Sequence, residues 1–205
     1  MDYIEFLKNR KSIRKFVDDF KIPRNEMDSI LNLAQRAPSS GNMQPWRFIV
    51  IETKESKKVL RNVMSGNFLQ LDTSSAMILV LYDKNEYDYV TKIYHKAVRE
   101  NLMPLDVANK QISWLLSKEK TESEFEKLRD GFINVGIVIN QLLHSIRAHG
   151  YEGGAMRGYD EKRIVSELGL DSNRYLPAAI IAVGKKASDA FDTIRLDLSD
   201  TVIYK

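Results

Sequence analysis

The sequence has no cysteine among its 205 residues. That absence removes disulfides, thiolate nucleophiles and cysteine-ligated metals from consideration. Histidine is scarce: there are three, and His144 and His149 stand five apart, a poor spacing for one helix face, with no H-E-x-x-H present. Neither common glycine-rich phosphate loop, G-x-G-x-x-G or G-x-x-x-x-G-K-[ST], is found, and G-x-S-x-G is missing. No apolar run approaches the ~18 residues of a membrane helix. The opening "MDYIEFLKNRK" mixes acidic with apolar residues and offers no small-residue cleavage site, so it does not read as a signal peptide. A cytoplasmic protein without membrane association is therefore expected. With no catalytic dyad in view, an enzyme built on this sequence would take its hard chemistry from a bound cofactor.

What is present is ordinary globular composition: 43% hydrophobic and 29% charged residues. Repeats, linkers and low-complexity stretches are absent, and residues 1–205 read as one domain with a sizeable core. The net charge of +3 is mild. Its clearest local concentration is Arg10, Lys11, Arg14 and Lys15, enough for a small anion. A basic nucleic-acid-binding module using residues 10–15 is the weaker alternative, since such domains usually spread basic charge over a whole face.

Along the chain, residues 2–10 read as a short amphipathic helix with Tyr3, Ile4, Phe6 and Leu7 on its apolar side. Pro23 sits where a second helix could begin, and Met27, Ile30, Leu31 and Ala34 continue it. "RFIVI" (47–51), "AMILVLYD" (76–83) and "PAAIIAVGKK" (177–186) read as buried strands. Residues 54–64 read as a helix, and 85–120 as helical pieces with a loop near Pro104. The best helix spans 122–149, where Phe125, Leu128, Phe132, Val135, Ile139, Leu142 and Ile146 make one apolar stripe and Gly150 ends the run. Residues 158–170 read as a turn, a helix capped by Asp160 and a glycine stop. Residues 186–205 read as an extended arm. Helices alternating with strands predict a sheet covered by helices, α/β or α+β.

Two constellations carry chemistry. In "RKSIRKF" (10–16), an extended backbone would put Arg10, Ser12 and Arg14 on one side. Two guanidinium groups and a hydroxyl there suit a phosphate, though a solvated basic turn has the same composition. In "APSSGNMQPW" (37–46), prolines stiffen both ends, Ser39, Ser40 and Asn42 supply donors and acceptors, and Gly41 permits close approach by something flat. Trp46 is expected to pack where the loop meets the sheet. A plain helix-to-strand connection would also read this way.

These two motifs together, in this order and separation, resemble the FMN-dependent nitroreductase family. "LRDGFINVGIVINQLLHSIRAHG" and "GGAMRGYDEKRIVSELGL" resemble its central helix and glycine-containing flavin loop. "LPAAIIAVGKK" with a downstream Arg195 resembles its last core strand and C-terminal phosphate ligand. The resemblance covers most of the chain and is weakest over 84–120. It implies an α+β fold: a mainly antiparallel central sheet flanked by helices, with a C-terminal arm reaching a partner subunit. It also implies tightly bound FMN and NAD(P)H as co-substrate. Arg10, Lys11, Ser12 and Arg14 would hold the FMN phosphate and ribityl chain, with Arg195 adding a second cation to the phosphate. Pro38, Ser39, Ser40 and Asn42 would reach the flavin of the partner, since the family shares its sites across a homodimer. Asn67 and Gln70 would face the pyrimidine edge, and Ala155, Met156, Arg157 and Gly158 would line the flavin near N5. Arg157 stands where some members have glutamate, and Thr193 where some have lysine, with Lys185 or Lys186 as substitutes.

The implied activity is an NAD(P)H-dependent FMN oxidoreductase. It would reduce nitro compounds, quinones or related small-molecule acceptors by a ping-pong route, with no side-chain catalytic residue, no metal and no nucleic acid. The alternative is a flavin-binding protein that stores or senses flavin without turnover. Tyr87, Tyr89, Tyr94, Trp114 and Phe125 are candidates for the pocket wall, and the stripe from Phe125 to Ile146 for the subunit interface.

Overall fold

The computed structural model describes residues 2–205. At its centre lies a four-stranded sheet, order β1-β2-β4-β3, antiparallel at every pairing: β1 (Trp46–Ile51), β2 (Ala76–Asp83), β3 (Glu152–Met156) and β4 (Tyr175–Gly184). The two central strands are covered on both faces, which explains their unbroken apolar sequences. Ile78, Val80, Ile181 and Val183 face one layer; Met77, Leu79, Leu81, Ile180 and Ala182 face the other. The first layer is α2 (Arg24–Ala34) packed on α7 (Glu124–Ala148), through Met27, Ile30, Val135, Val138, Leu142 and Ile146. The second is α3 (Lys54–Arg61), α4 (Phe68–Thr73) and α8 (Ile164–Glu167), through Leu60, Leu71, Ile164 and Val165. The expected α+β architecture with an antiparallel sheet is the one found.

α5 (Val90–Arg99) and α6 (Leu105–Thr121) form a helical pair with its own core of Met43, Tyr87, Val90, Tyr94, Ala108 and Leu115. Tyr87 and Tyr94 therefore belong to a packed core, whereas Trp114 and Phe125 are exposed. α1 (Tyr3–Lys8) buries none of its residues. β1 was expected to be buried but is an edge strand with half-exposed inner residues.

α7 starts on a reciprocal cap: the Ser123 hydroxyl accepts from Glu126 N–H while the Glu126 carboxylate accepts from Ser123 N–H. Its apolar stripe divides. Val135, Leu142 and Ile146 are spent on the chain's own core, and the exposed apolar residues are Phe125, Phe132, Ile133 and Ile137. An interface along α7 would use that outer side rather than the expected stripe. The final segment carries one short helix, α9 (Leu198–Thr201), and leaves Ile194, Leu196, Leu198, Ile203 and Tyr204 exposed. Among the described residues no helix is long and apolar enough to cross a membrane.

Candidate functional site

The segment after α1 passes beside β3 at Ile13 and then pairs with the stretch that follows β4. Ile13 N–H donates to Gly153 O (3.2 Å), Val17 N–H to Lys185 O (2.8 Å), and Ala187 N–H to Lys15 O (3.0 Å). Gly154 makes this approach possible: a Cβ there would stand 2.9 Å from Ile13 O. Ile13 and Phe16 turn inward, which leaves Ser12 and Arg14 outside. A cleft of about 380 Å³ then opens between Leu7, Lys8, Arg10 and Lys11 on one wall and Asp192, Thr193 and Arg195 on the other. Lys11 Nζ holds Asp192 at 2.6 Å and keeps its carboxyl below the usual range. Arg195 is braced by Thr193 Oγ1 (3.0 Å) and Ile194 O (2.8 Å). Arg14 does not line this cleft; its guanidinium lies over the Phe191 ring, 5.1 Å from the centroid, on the same C-terminal segment.

A second group lies at the far end of β3. Asn67 takes the left-handed conformation (φ 59°) that starts α4, and Gln70 Nε2 donates to its Oδ1 (3.3 Å). Ser65 N–H donates to Gly158 O (2.9 Å) and Asp160 N–H to Val63 O (2.7 Å), so residues 158–160 lie against 63–65. Gly158 is in close approach, since a Cβ there would meet Asn67 Nδ2 at 3.1 Å. Ala155 is exposed and Met156 half-buried. Arg157 is exposed and tied to Glu161 at 2.6 Å, so its charge is already partnered within the chain.

The third group is the 38–46 loop. Gly41, Asn42 and Gln44 all sit at positive φ (56°, 52° and 50°), at roughly 1–2 kcal/mol for each non-glycine residue. Gly41 is further confined because an added Cβ would stand 2.9 Å from Leu115 of α6. Several bonds hold the shape. Ser40 N–H donates to Oδ1 of buried Asn134 on α7 (3.1 Å), Gln44 N–H to Ser39 Oγ (3.0 Å), and Tyr94 OH to Gly41 O (3.0 Å). Pro38, Ser40 and Asn42 stay exposed and Ser39 half-buried. Trp46 is buried in the core between sheet and α7.

The first and third groups are anchored at different places along α7. α1 is anchored at the far end of α7, where the Phe6 ring meets His144 edge-on (centroids 6.0 Å) and Arg147 donates to Phe6 O. The loop is anchored at Asn134. At 1.5 Å per residue, the 10 to 13 residues between the anchors put them about 15–20 Å apart.

Two features had no counterpart in the sequence reading. Asp83, fully buried at the end of β2, holds Arg47 (2.7 Å) and Arg174 (2.8 Å), and Arg47 in turn grips the loop at Gln44 O (3.1 Å). Glu86 is buried beneath the start of α7, where it accepts from Tyr82 OH (3.2 Å). Burial, reinforced by Glu122 and Asp83 and opposed by the Tyr82 bond and Lys118, pushes its pKa up to about 7.

The family model described as "Nitroreductase family" matches residues 7–185. The chain belongs to the nitroreductase family. A Bacillus subtilis relative named as an NAD(P)H nitroreductase is 41% identical over 205 residues, covering 100% of this chain and 98% of the relative. An enone reductase of Lactiplantibacillus plantarum is 33% identical, covering 96% of this chain and 91% of its own. Among solved structures, a nitroreductase from Exiguobacterium sibiricum, crystallised in complex with FMN, superposes with a TM-score of 0.98 at 35% identity, covering 100% and 98%.

Proposed function

We propose that this chain is an FMN-dependent oxidoreductase that works as a homodimer with shared sites, each copy a single domain. The observation that carries the reading is spatial. Residues 10–13 lie beside Gly153 and Gly154, residues 192–195 close a cleft with residues 7–11, and Gly158 meets Ser65, while the α7 anchor of the 38–42 loop is about 15–20 Å from that of α1. The arrangement fits FMN. Its cleft carries four cations (Lys8, Arg10, Lys11, Arg195) against one carboxylate (Asp192), suited to a phosphate. Gly154 lets the Ile13 backbone approach more closely than a Cβ would allow, and Gly158 stands close to the side chains of Asn67 and Ser65.

In this reading Arg10, Lys11 and Arg195 hold the phosphate, with Ser12 and Arg14 beside the ribityl chain. Asn67 and Gln70 take the pyrimidine edge, and residues 155–158 flank N5 with backbone donors. Pro38, Ser39, Ser40 and Asn42 complete the site of a second copy. FMN supplies hydride transfer when bound; the chain binds, orients and excludes water. With FMN held by these residues, NAD(P)H would give it a hydride and leave as NAD(P)+, and the acceptor would then enter the same pocket and take the two electrons, with the balance of protons from solvent. Nitro compounds, quinones and enones are the acceptor classes, the last because of the enone reductase relative. Exposed apolar residues on α7 (Phe132, Ile133, Ile137) and on the C-terminal segment (Ile194, Leu196, Ile203, Tyr204) supply interface surface, and the segment acts as an arm reaching the partner.

Steady-state kinetics test it. Double-reciprocal plots at several acceptor concentrations should give parallel lines, and NAD(P)H alone should bleach the yellow protein without acceptor. Intersecting lines would exclude the ping-pong order, and failure to bleach would exclude the activity.

A further inference from the structure

Gln44 is a glutamine held in a left-handed conformation (φ 50°) with every polar group of its backbone and its amide nitrogen engaged inside the loop. Its N–H donates to Ser39 Oγ (3.0 Å). Its side-chain Nε2 donates twice to Asn42, to the carbonyl oxygen (3.0 Å) and to Oδ1 (3.2 Å). Its own carbonyl accepts from Arg47 Nη1 (3.1 Å), and Arg47 is fixed from behind by the buried Asp83 carboxylate (2.7 Å) and by stacking on the Tyr89 ring (4.4 Å).

The bonds settle which way both amides point. The Asn42 carbonyl is only an acceptor, so the Gln44 group facing it is the NH2. The Asn42 atom facing that same NH2 is then its oxygen, which turns the Asn42 NH2 outward. Ser39 Oγ already accepts from Gln44 N–H, which leaves its hydroxyl hydrogen to donate elsewhere.

We propose that Gln44, braced by Arg47 and Asp83, is the positioning residue that makes the 38–44 loop a preset face of hydrogen-bond donors, matched to the acceptor atoms along the edge of a flavin. Gln44 does not itself touch the ligand; it acts through Asn42 and Ser39. The inference rests on the reading that this loop completes a flavin site. The device explains why a non-glycine residue is kept at positive φ beside Gly41 and Asn42, which are better suited to it. Glycine would relieve the backbone and lose the amide.

The experiment is FMN titration of apoprotein by flavin fluorescence, using Gln44→Gly, Asn42→Ala and the double variant, with apoprotein unfolding followed in parallel. Gln44→Gly should leave the apoprotein as stable as wild type or slightly more so while weakening FMN about tenfold, the equivalent of one lost hydrogen bond. Asn42→Ala should weaken FMN to a similar degree. The double variant should bind no more weakly than Asn42→Ala, because the Gln44 side chain acts through Asn42 alone and the backbone N–H that Ser39 accepts is kept by glycine. Losses that multiply would overturn the proposal, and so would a normal affinity in Gln44→Gly when Asn42→Ala is impaired. Normal affinity in Asn42→Ala would instead remove the loop from the flavin and overturn the parent reading as well.

A second variant reads the same point by pH. Gln44→Glu keeps the length but donates only when protonated. Its FMN affinity relative to wild type should therefore be lower at pH 8 and recover only as pH falls through the ordinary carboxylate range, below about 5. A ratio that does not change with pH would contradict the donor role.

Discussion

Replacing Glu86 with glutamine should make this protein more stable, by an amount that grows as pH rises from about 4.5 to 7 and then levels off. Glu86 lies under the start of α7, faced by Tyr82 and Asp83 from β2, Lys118 from α6, Glu122 just beyond its end, and Lys127 from α7. Its pKa moves from the ordinary 4.5 to about 7 because burial penalises the charge. Between those two values the folded chain holds a proton that the unfolded chain has released. Unfolding free energy therefore falls as pH rises from about 4.5 to 7 and then levels off. At about 1.4 kcal/mol per pH unit, the whole penalty is roughly 3 kcal/mol. Glutamine mimics the protonated side chain without the penalty. Glu86→Gln should match wild type near pH 4.5 and exceed it by up to roughly 3 kcal/mol at pH 8. At about 2–4 °C per kcal/mol for a chain this long, that is a Tm gain of roughly 6–12 °C. Urea unfolding at pH 5, 6, 7 and 8, at one fixed protomer concentration because association contributes to stability, gives the comparison. A difference independent of pH, or a variant less stable at pH 8, would refute a buried carboxyl that ionises at a cost.

Gly131→Ala should lower stability by about 1–3 kcal/mol or more, since the new Cβ would stand 2.4 Å from the Tyr82 ring, which is fully buried and cannot swing aside; the Tm of the variant checks it. Gly154→Ala should push residues 12–14 off β3 and reduce FMN affinity in titration, with a smaller effect on far-UV circular dichroism. Asn134→Ala removes the acceptor for Ser40 N–H and should cost about 1 kcal/mol of stability, with faster hydrogen exchange at residues 40–44 than in wild type.

Legibility followed burial. β2 was readable to the residue because a strand covered on both faces has an apolar sequence with sharp ends at Ser75 and Lys84. β3 was not, because "EGGAM" offers neither alternation nor β-branched residues. It is a strand because β4 has a free edge to pair with and because glycine lets residues 12–14 approach from the other side. The 3.6-residue period of α7 was plain, but a helix with apolar residues on more than one side does not disclose which side meets its own sheet. The site motifs could be quoted from the sequence since each is local. Their neighbours in space could not, because these depend on the register of Gly153 and Gly154 against Ile13 and on the Ser65–Gly158 contact. The brace on Gln44 was invisible for the same reason: Asp83 reads as a polar strand end, and nothing in a one-dimensional string says that Gln44 has positive φ.

The central claim is that two copies share each FMN site, and mixed dimers test it most directly. One chain carries Arg10→Ala, from the phosphate cleft, and the other carries Asn42→Ala, from the distant loop; each should impair its own homodimer. In a heterodimer with shared sites, one site collects both substitutions and the other collects neither. Mixing by unfolding and refolding, followed by tag-based isolation of the heterodimer, should therefore return about half of wild-type FMN binding and activity per dimer. If each site were built from a single chain, both sites of the heterodimer would remain damaged and nothing would return; that result, or a flavin-loaded monomer by sedimentation, would contradict the account.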